Sequence, residues 1–230
     1  MQLSRRMQRL TSLITEGNRL ADVGTDHGYV PIALVRDKRI PSAIAMDVNR
    51  GPLARAGEHI RESGLSTYIE TRLSDGLAKL GPGEADTVLI AGMGGMLIRR
   101  ILEEGGHCLP TVRELVLQPQ SDIHRVREWL YKNRYQVTAE DIVEEDGKYY
   151  PMMQAVHGRE RELCQTDLYY GKREIQRSPE VLRSCLQAEL ARNRRVMEIL
   201  KQRGQAGTQR AAEVAESIER ILAAAGSLPC

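Results

Sequence analysis

The stretch Leu20-Ala21-Asp22-Val23-Gly24-Thr25-Asp26-His27-Gly28-Tyr29 decides the fold. Residues 20–23 read as a short buried strand carrying one acid, and Gly24 opens a turn that runs into a helix over 30–36. In such a turn glycine lets backbone come close to a ligand, and the next helix offers unpaired N–H groups at its start. A dinucleotide site would show G-x-G-x-x-G here, with pyrophosphate on the helix N-terminus. This turn has Gly24 and Gly28 with Asp26 between them.

That acid narrows the ligand. A carboxylate in the turn repels a pyrophosphate but suits a molecule carrying ammonium or sulfonium charge. S-adenosylmethionine carries both and no phosphate. The competing reading is an aspartate that merely caps the turn or the helix.

Working outward, short apolar runs at 43–46, 69–73, 87–91 and 115–117 alternate with amphipathic stretches at 52–63, 96–104 and 123–133. This is the rhythm of β-α-β units with buried parallel strands. Pro52 suits the first turn of its helix and Gly64 its stop. The rhythm then changes. Residues 135–145 and 149–157 flank Glu145-Asp146-Gly147-Lys148, which predicts an antiparallel hairpin turning at Asp146 and Gly147. Beyond Arg159 the strand signals stop. Ser178-Pro179-Glu180 predicts a helix start with a serine cap, and Leu182, Leu186, Leu190, Met197 and Leu200 form one apolar stripe. After Gly204 and Gly207 a second stripe follows at Val214, Ile218, Ile221, Leu222 and Ala225. The expected architecture is α/β: a Rossmann-like, mainly parallel sheet ending in an antiparallel hairpin over 1–158, then a helical, coiled-coil-like domain over 159–230.

Three further motifs bear on the ligand. Asp47 ends the second strand, where a carboxylate can accept both hydrogen bonds of a ribose diol, with Val48 beside it. Asp75-Gly76 follows the third strand, where the acid could accept from an adenine amino group. These acids and the first turn all fall at the C-terminal ends of adjacent strands, where such sheets bind ligands. Ala91-Gly92-Met93-Gly94-Gly95-Met96 follows the fourth strand; its glycines remove side chains so that a flat base can lie on backbone, and the methionines can serve as adaptable walls.

Composition sets the outer limits. At 230 residues, 41% hydrophobic and 28% charged, the chain reads as a globular protein of the cytoplasm, with no apolar span and no signal peptide at its basic, amphipathic start. Its four cysteines, Cys108, Cys164, Cys185 and Cys230, form no C-x-x-C pair, so free thiols and no metal are expected. Net charge is only +2, but basic residues gather at Arg5, Arg6 and Arg9 and again at Arg192, Arg194, Arg195, Lys201 and Arg203. Either patch could meet RNA phosphate or simply keep a helix face solvated. Aromatic residues make up 4% and phenylalanine is absent, which favours recognition of a folded RNA by shape over stacking on single strands. Oligomeric state is left open, with a monomer favoured.

Taken together, Asp22-Val23-Gly24-Thr25-Asp26-His27-Gly28-Tyr29, the Asp47 strand end, Ser74-Asp75-Gly76, Ala91-Gly92-Met93-Gly94-Gly95, Leu117-Gln118-Pro119-Gln120 and Arg127-Glu128-Trp129-Leu130-Tyr131-Lys132 resemble the bacterial tRNA (adenine-N1)-methyltransferase family TrmK. The resemblance covers about residues 3–156 by specific motifs, and the helical tail by length and pattern only. It implies a class I methyltransferase domain, methylation of adenine 22 in tRNA, and S-adenosylmethionine as donor with S-adenosylhomocysteine as product. It also places Asp22, Gly24, Asp26, Gly28, Asp47, Val48, Asp75, Gly76, Gly92, Met93 and Gly94 at the donor. Enzymes acting on exocyclic amines usually carry Asn/Asp-Pro-Pro-aromatic after the fourth strand; Ala-Gly-Met-Gly at this position implies a ring nitrogen.

Catalytic candidates are Asp26, His27, Tyr29 and Gln118. Asp26 could orient the base at N6, and His27 could contact base or phosphate or only brace the turn. Tyr29 could stack on a base or belong to the core, and Gln118 could meet the adenine edge or satisfy loop backbone. Three other readings stay open: a methyltransferase on another substrate, a non-catalytic binding module, and, most distantly, a dehydrogenase.

Overall fold

The computed structural model describes residues 3–227, which divide after Glu160 into two compact units. Cys230 lies outside the described residues; Cys108, Cys164 and Cys185 are free thiols. No helix among the described residues is long and apolar enough to cross a membrane.

The first unit is a seven-stranded sheet formed by β1 (Leu20–Val23), β2 (Ala43–Asp47), β3 (Ile69–Leu73), β4 (Thr87–Met93), β5 (Glu114–Pro119), β6 (Tyr135–Glu145) and β7 (Lys148–His157). The order across it is β3-β2-β1-β4-β5-β7-β6. The first five strands run parallel, and β7 is antiparallel to both β5 and β6. Asp146 and Gly147 turn the last hairpin at φ +52° and +70°, the pair of left-handed positions a type I′ turn requires.

Helices α1 (Arg5–Leu13), α2 (Tyr29–Arg36) and α3 (Arg50–Glu62) share one core with the sheet face bearing Leu20, Ala43, Ala45, Leu89, Val116 and Met152. The alternate residues Val88, Ile90, Leu115 and Leu117, also fully buried, turn to the opposite face, where α4 (Gly95–Glu104) and α5 (Ile123–Lys132) pack side by side. In α5 the Arg127 guanidinium is buried and donates through Nε to Glu140 Oε1 of β6 at 2.7 Å. The Arg127–Lys132 motif is thus built around a structural ion pair. α1 crosses the hairpin: Arg6 lies over the Tyr150 ring, 4.9 Å from its centroid, and Arg9 Nη1 sits 3.4 Å from the fully buried Asp141 carboxylate.

The second unit holds α6 (Gln165–Tyr170), α7 (Pro179–Gln202) and α8 (Gln209–Ser227), the last two paired as a helical hairpin. Pro179 opens α7 at its first position, but Ser178 makes no side-chain cap. Ser178 is buried with its N–H on Gln176 Oε1, so packing overrides the cap expected there. The second stripe is also shifted. Ala211, Val214, Ile221 and Ala224 are buried, whereas Leu222 and Ala225 face solvent, because the spacing that the partner helix selects runs one residue earlier.

Candidate active site

The strand order places the C-terminal ends of β3, β2, β1 and β4 side by side, so the motifs read from sequence come together along one edge of the sheet. Asp22 is buried near the end of β1 and accepts from the Thr25 hydroxyl at 2.6 Å. Loss of water pushes its carboxyl up to about 6; the Thr25 bond pulls the other way and the Asp47 charge adds to the rise. Asp47, buried at the end of β2, accepts from the Asn49 N–H at 2.7 Å. Two buried acids that feel each other's charge are costly, and a ligand bearing positive charge and hydroxyl donors relieves that cost.

Glycine sets the backbone beside these acids. Gly24 has φ +76°, a left-handed backbone that residues with a side chain rarely adopt, and the flexible end of the Met93 side chain lies against it. Val48, beside Asp47, is 57% exposed, a large apolar surface at a strand end. Asp75 departs from expectation. Its side chain is 60% exposed and ion-paired with Arg100 Nη2 of α4 at 3.4 Å, so of the three strand-end acids Asp22, Asp47 and Asp75 the first two are buried and the third is not.

β4 ends in a bulge. Its pairing with β5 shifts between Ala91 and Met93, leaving Gly92 as an extra residue at φ +77°. The Gly92 N–H, removed from the strand ladder, donates to Gln118 Oε1 at 3.2 Å, and the Gln118 amide nitrogen donates to the Pro119 carbonyl at 3.3 Å. Gln118 is fully buried, and as placed its amide supports the loop. The more exposed Gln120 comes over Gly92 instead, its Nε2 lying 3.9 Å from where a Cβ would be.

Asp26 stands outside this pocket in the β1–α2 turn, at φ +46°, a left-handed conformation that aspartate tolerates better than most residues. Its carboxylate is 55% exposed and doubly held: Arg55 Nη2 donates to Oδ1 at 3.0 Å, and His27 Nε2 lies 3.4 Å from Oδ2. The rings of His27, Tyr29 and His59 stack at centroid distances of 5.1 to 5.7 Å, and His59 Nδ1 lies 3.0 Å from the His27 carbonyl. From sequence Arg55 is not singled out and His59, in no metal-ligand spacing, reads as a structural or surface residue; they lie 29 and 32 residues from their partners. Their i, i+4 spacing on α3 is the sole local trace of a shared face.

Of the basic candidates, Arg5, Arg192, Arg194 and Arg195 are exposed, while Arg6 and Arg9 are engaged by the hairpin as described.

Residues 3–153 match the family model described as a methyltransferase domain. The tRNA (adenine(22)-N(1))-methyltransferase of Bacillus subtilis strain 168 is 42% identical over 158 residues, 69% of this chain and 66% of that protein. The crystal structure of the B. subtilis M1A22 tRNA methyltransferase TrmK superposes with a TM-score of 0.85 at 32% identity, covering 97% of this chain and 99% of that one. A Streptococcus pneumoniae protein in complex with S-adenosyl-L-methionine gives a TM-score of 0.86 at 33% identity, covering 97% of this chain and 100% of that one. Matching in sequence, and in fold over nearly its whole length, the chain belongs to the TrmK family of tRNA (adenine-N1)-methyltransferases.

Proposed function

We infer that this chain transfers a methyl group from S-adenosylmethionine to N1 of adenine 22 in tRNA. The observation that carries the reading is the pair of buried acids Asp22 and Asp47 at adjacent strand ends beside the Gly24 turn, with the half-exposed Asp26 in that same turn. Family membership supplies the acceptor.

The donor supplies an electrophilic methyl carbon on a cationic sulfur. Asp47 receives the ribose hydroxyls, Val48 and Gly76 border the adenine with Asp75 at its amino edge, and Asp22, Gly24 and Gly28 line the amino-acid end. Gly92, Met93 and Gly94 leave the approach to the methyl group free of bulk. Adenine N1 attacks through its own lone pair, so the chain's task is alignment, which in well-oriented systems lowers a barrier by about 7–11 kcal/mol. Asp26 has unused lone pairs beyond those facing Arg55 and His27. They accept from adenine N6, orient the ring and take up the proton released after N1 becomes quaternary. Tyr29 and His27 flank the base, and Gln118 fixes the Gly92 backbone against which it lies. Arg5, Arg192, Arg194 and Arg195 meet tRNA phosphates, a sequence-independent source of affinity. Free thiols at Cys108, Cys164 and Cys185 suit the cytoplasm, where we place the enzyme as a monomer.

The test is to incubate the protein with labelled S-adenosylmethionine and unmodified bulk tRNA, then digest the RNA and identify the methylated nucleoside. N1-methyladenosine is expected, with kcat reduced about 100-fold or more in Asp26→Ala. Donor binding by calorimetry without label in RNA would overturn the substrate.

A further inference from the structure

Helix α3 carries no donor motif, yet one of its faces backs the whole β1–α2 turn. Arg55 reaches the Asp26 carboxylate, His59 reaches the His27 carbonyl, and Ala56 between them lies 3.4 Å from where a Cβ on Gly28 would be. Each contact fixes a different feature of the turn. Arg55 takes Oδ1 while His27 faces Oδ2, so both the rotamer and the plane of the Asp26 carboxylate are set. A carbonyl can only accept, so His59 Nδ1 bears the proton of that bond, and its ring is locked in one tautomer against Tyr29 and His27. The Arg55–Asp26 bond lies outside the core, both side chains being about half exposed. An exposed aspartate without such partners would sample several rotamers, and a displaced reacting geometry costs rate steeply. α3 also starts three residues after Asp47, so the ribose acid and the acceptor-side turn are referenced to one rigid helix.

We propose that Arg55 and His59 are positioning residues for the acceptor half of methyl transfer, acting through Asp26 and His27. The proposal rests on the function inferred above. Steady-state tRNA methylation is compared for the wild type, Arg55→Ala, Arg55→Lys, His59→Phe and Asp26→Ala with and without Arg55→Ala, alongside donor affinity by calorimetry and melting temperature. Arg55→Ala should lower kcat about tenfold or more, with KM for tRNA and Kd for the donor within about twofold of wild type. Lysine should restore part of the rate, since it keeps the charge without the planar fork. His59→Phe, which keeps the ring and loses the donor, should lower kcat by about three- to fivefold with little change in melting temperature. In the Asp26→Ala background, Arg55→Ala should cost almost nothing further. A rise in KM for tRNA at unchanged kcat would make Arg55 a phosphate contact, a weakened donor Kd would make it a donor contact, and full additivity with Asp26→Ala would uncouple the pair; each overturns the proposal. An active wild type with an unaffected Arg55→Ala strikes this proposal alone. A wild type that labels no adenine in tRNA strikes the function, and the proposal with it.

Discussion

Two arginine clusters look alike in sequence and differ in what surrounds them. On α1, Arg6 covers the Tyr150 ring and Arg9 faces Asp141, a carboxylate wholly removed from solvent. On α7, Arg194 and Arg195 are exposed and have no ion pair among the described residues. Arg192 is exposed too, within electrostatic reach of Glu189, whose carboxyl burial pushes up and Arg192 draws down. Arg6 and Arg9 fasten α1 to the hairpin, while Arg194 and Arg195 make no ion pair among the described residues. A run of positive charge acquires a function only through the partners that the fold gives or withholds.

That contrast can be broken by experiment. Reversing charge at Arg192, Arg194 and Arg195 together should weaken tRNA affinity about tenfold or more and flatten its salt dependence by roughly two to three units of slope, leaving the melting temperature in place. An unchanged salt slope would return α7 to a solvated face. Arg9→Ala should act on stability instead. It leaves the Asp141 carboxylate buried without its cation, at a cost of about 1–3 kcal/mol readable by denaturant titration, with tRNA affinity unchanged. If affinity falls and stability holds, the two clusters are alike after all. Arg6→Ala should give the smallest effect, about 0.5–1 kcal/mol, from the lost contact with the Tyr150 ring.

Local signals carried most of the first unit. β1, β3 and β6 coincide with their expected limits, and the Asp146-Gly147 hairpin turns where its residue types demand. The carboxylates at the strand ends converge because parallel βαβ topology leaves them nowhere else to go. Elements decided by packing were hidden. α6 is six residues long and carries no periodic stripe. The Ser178 hydroxyl looks like a cap until burial turns it away. Likewise, nothing near Asp75 announces that Arg100 will pair with it, or near Asp26 that Arg55 will. Side-chain partners many residues apart are set by how helices lie on the sheet, which periodicity does not encode.

The extra residue at Gly92 has a consequence for how this edge of the sheet can change. In an uninterrupted strand Ala91 and Met93 would point the same way, since side chains alternate with a period of two. The bulge puts them out of phase: Ala91 packs toward the core beneath α1 to α3, while the Met93 thioether is brought against Gly24. Which side chain lies against Gly24 is therefore fixed by a count of residues as much as by their identity. Removing Gly92 would keep Met93 opposite Pro119, whereas drawing Gly92 into the ladder would turn Met93 onto the face of Ala91.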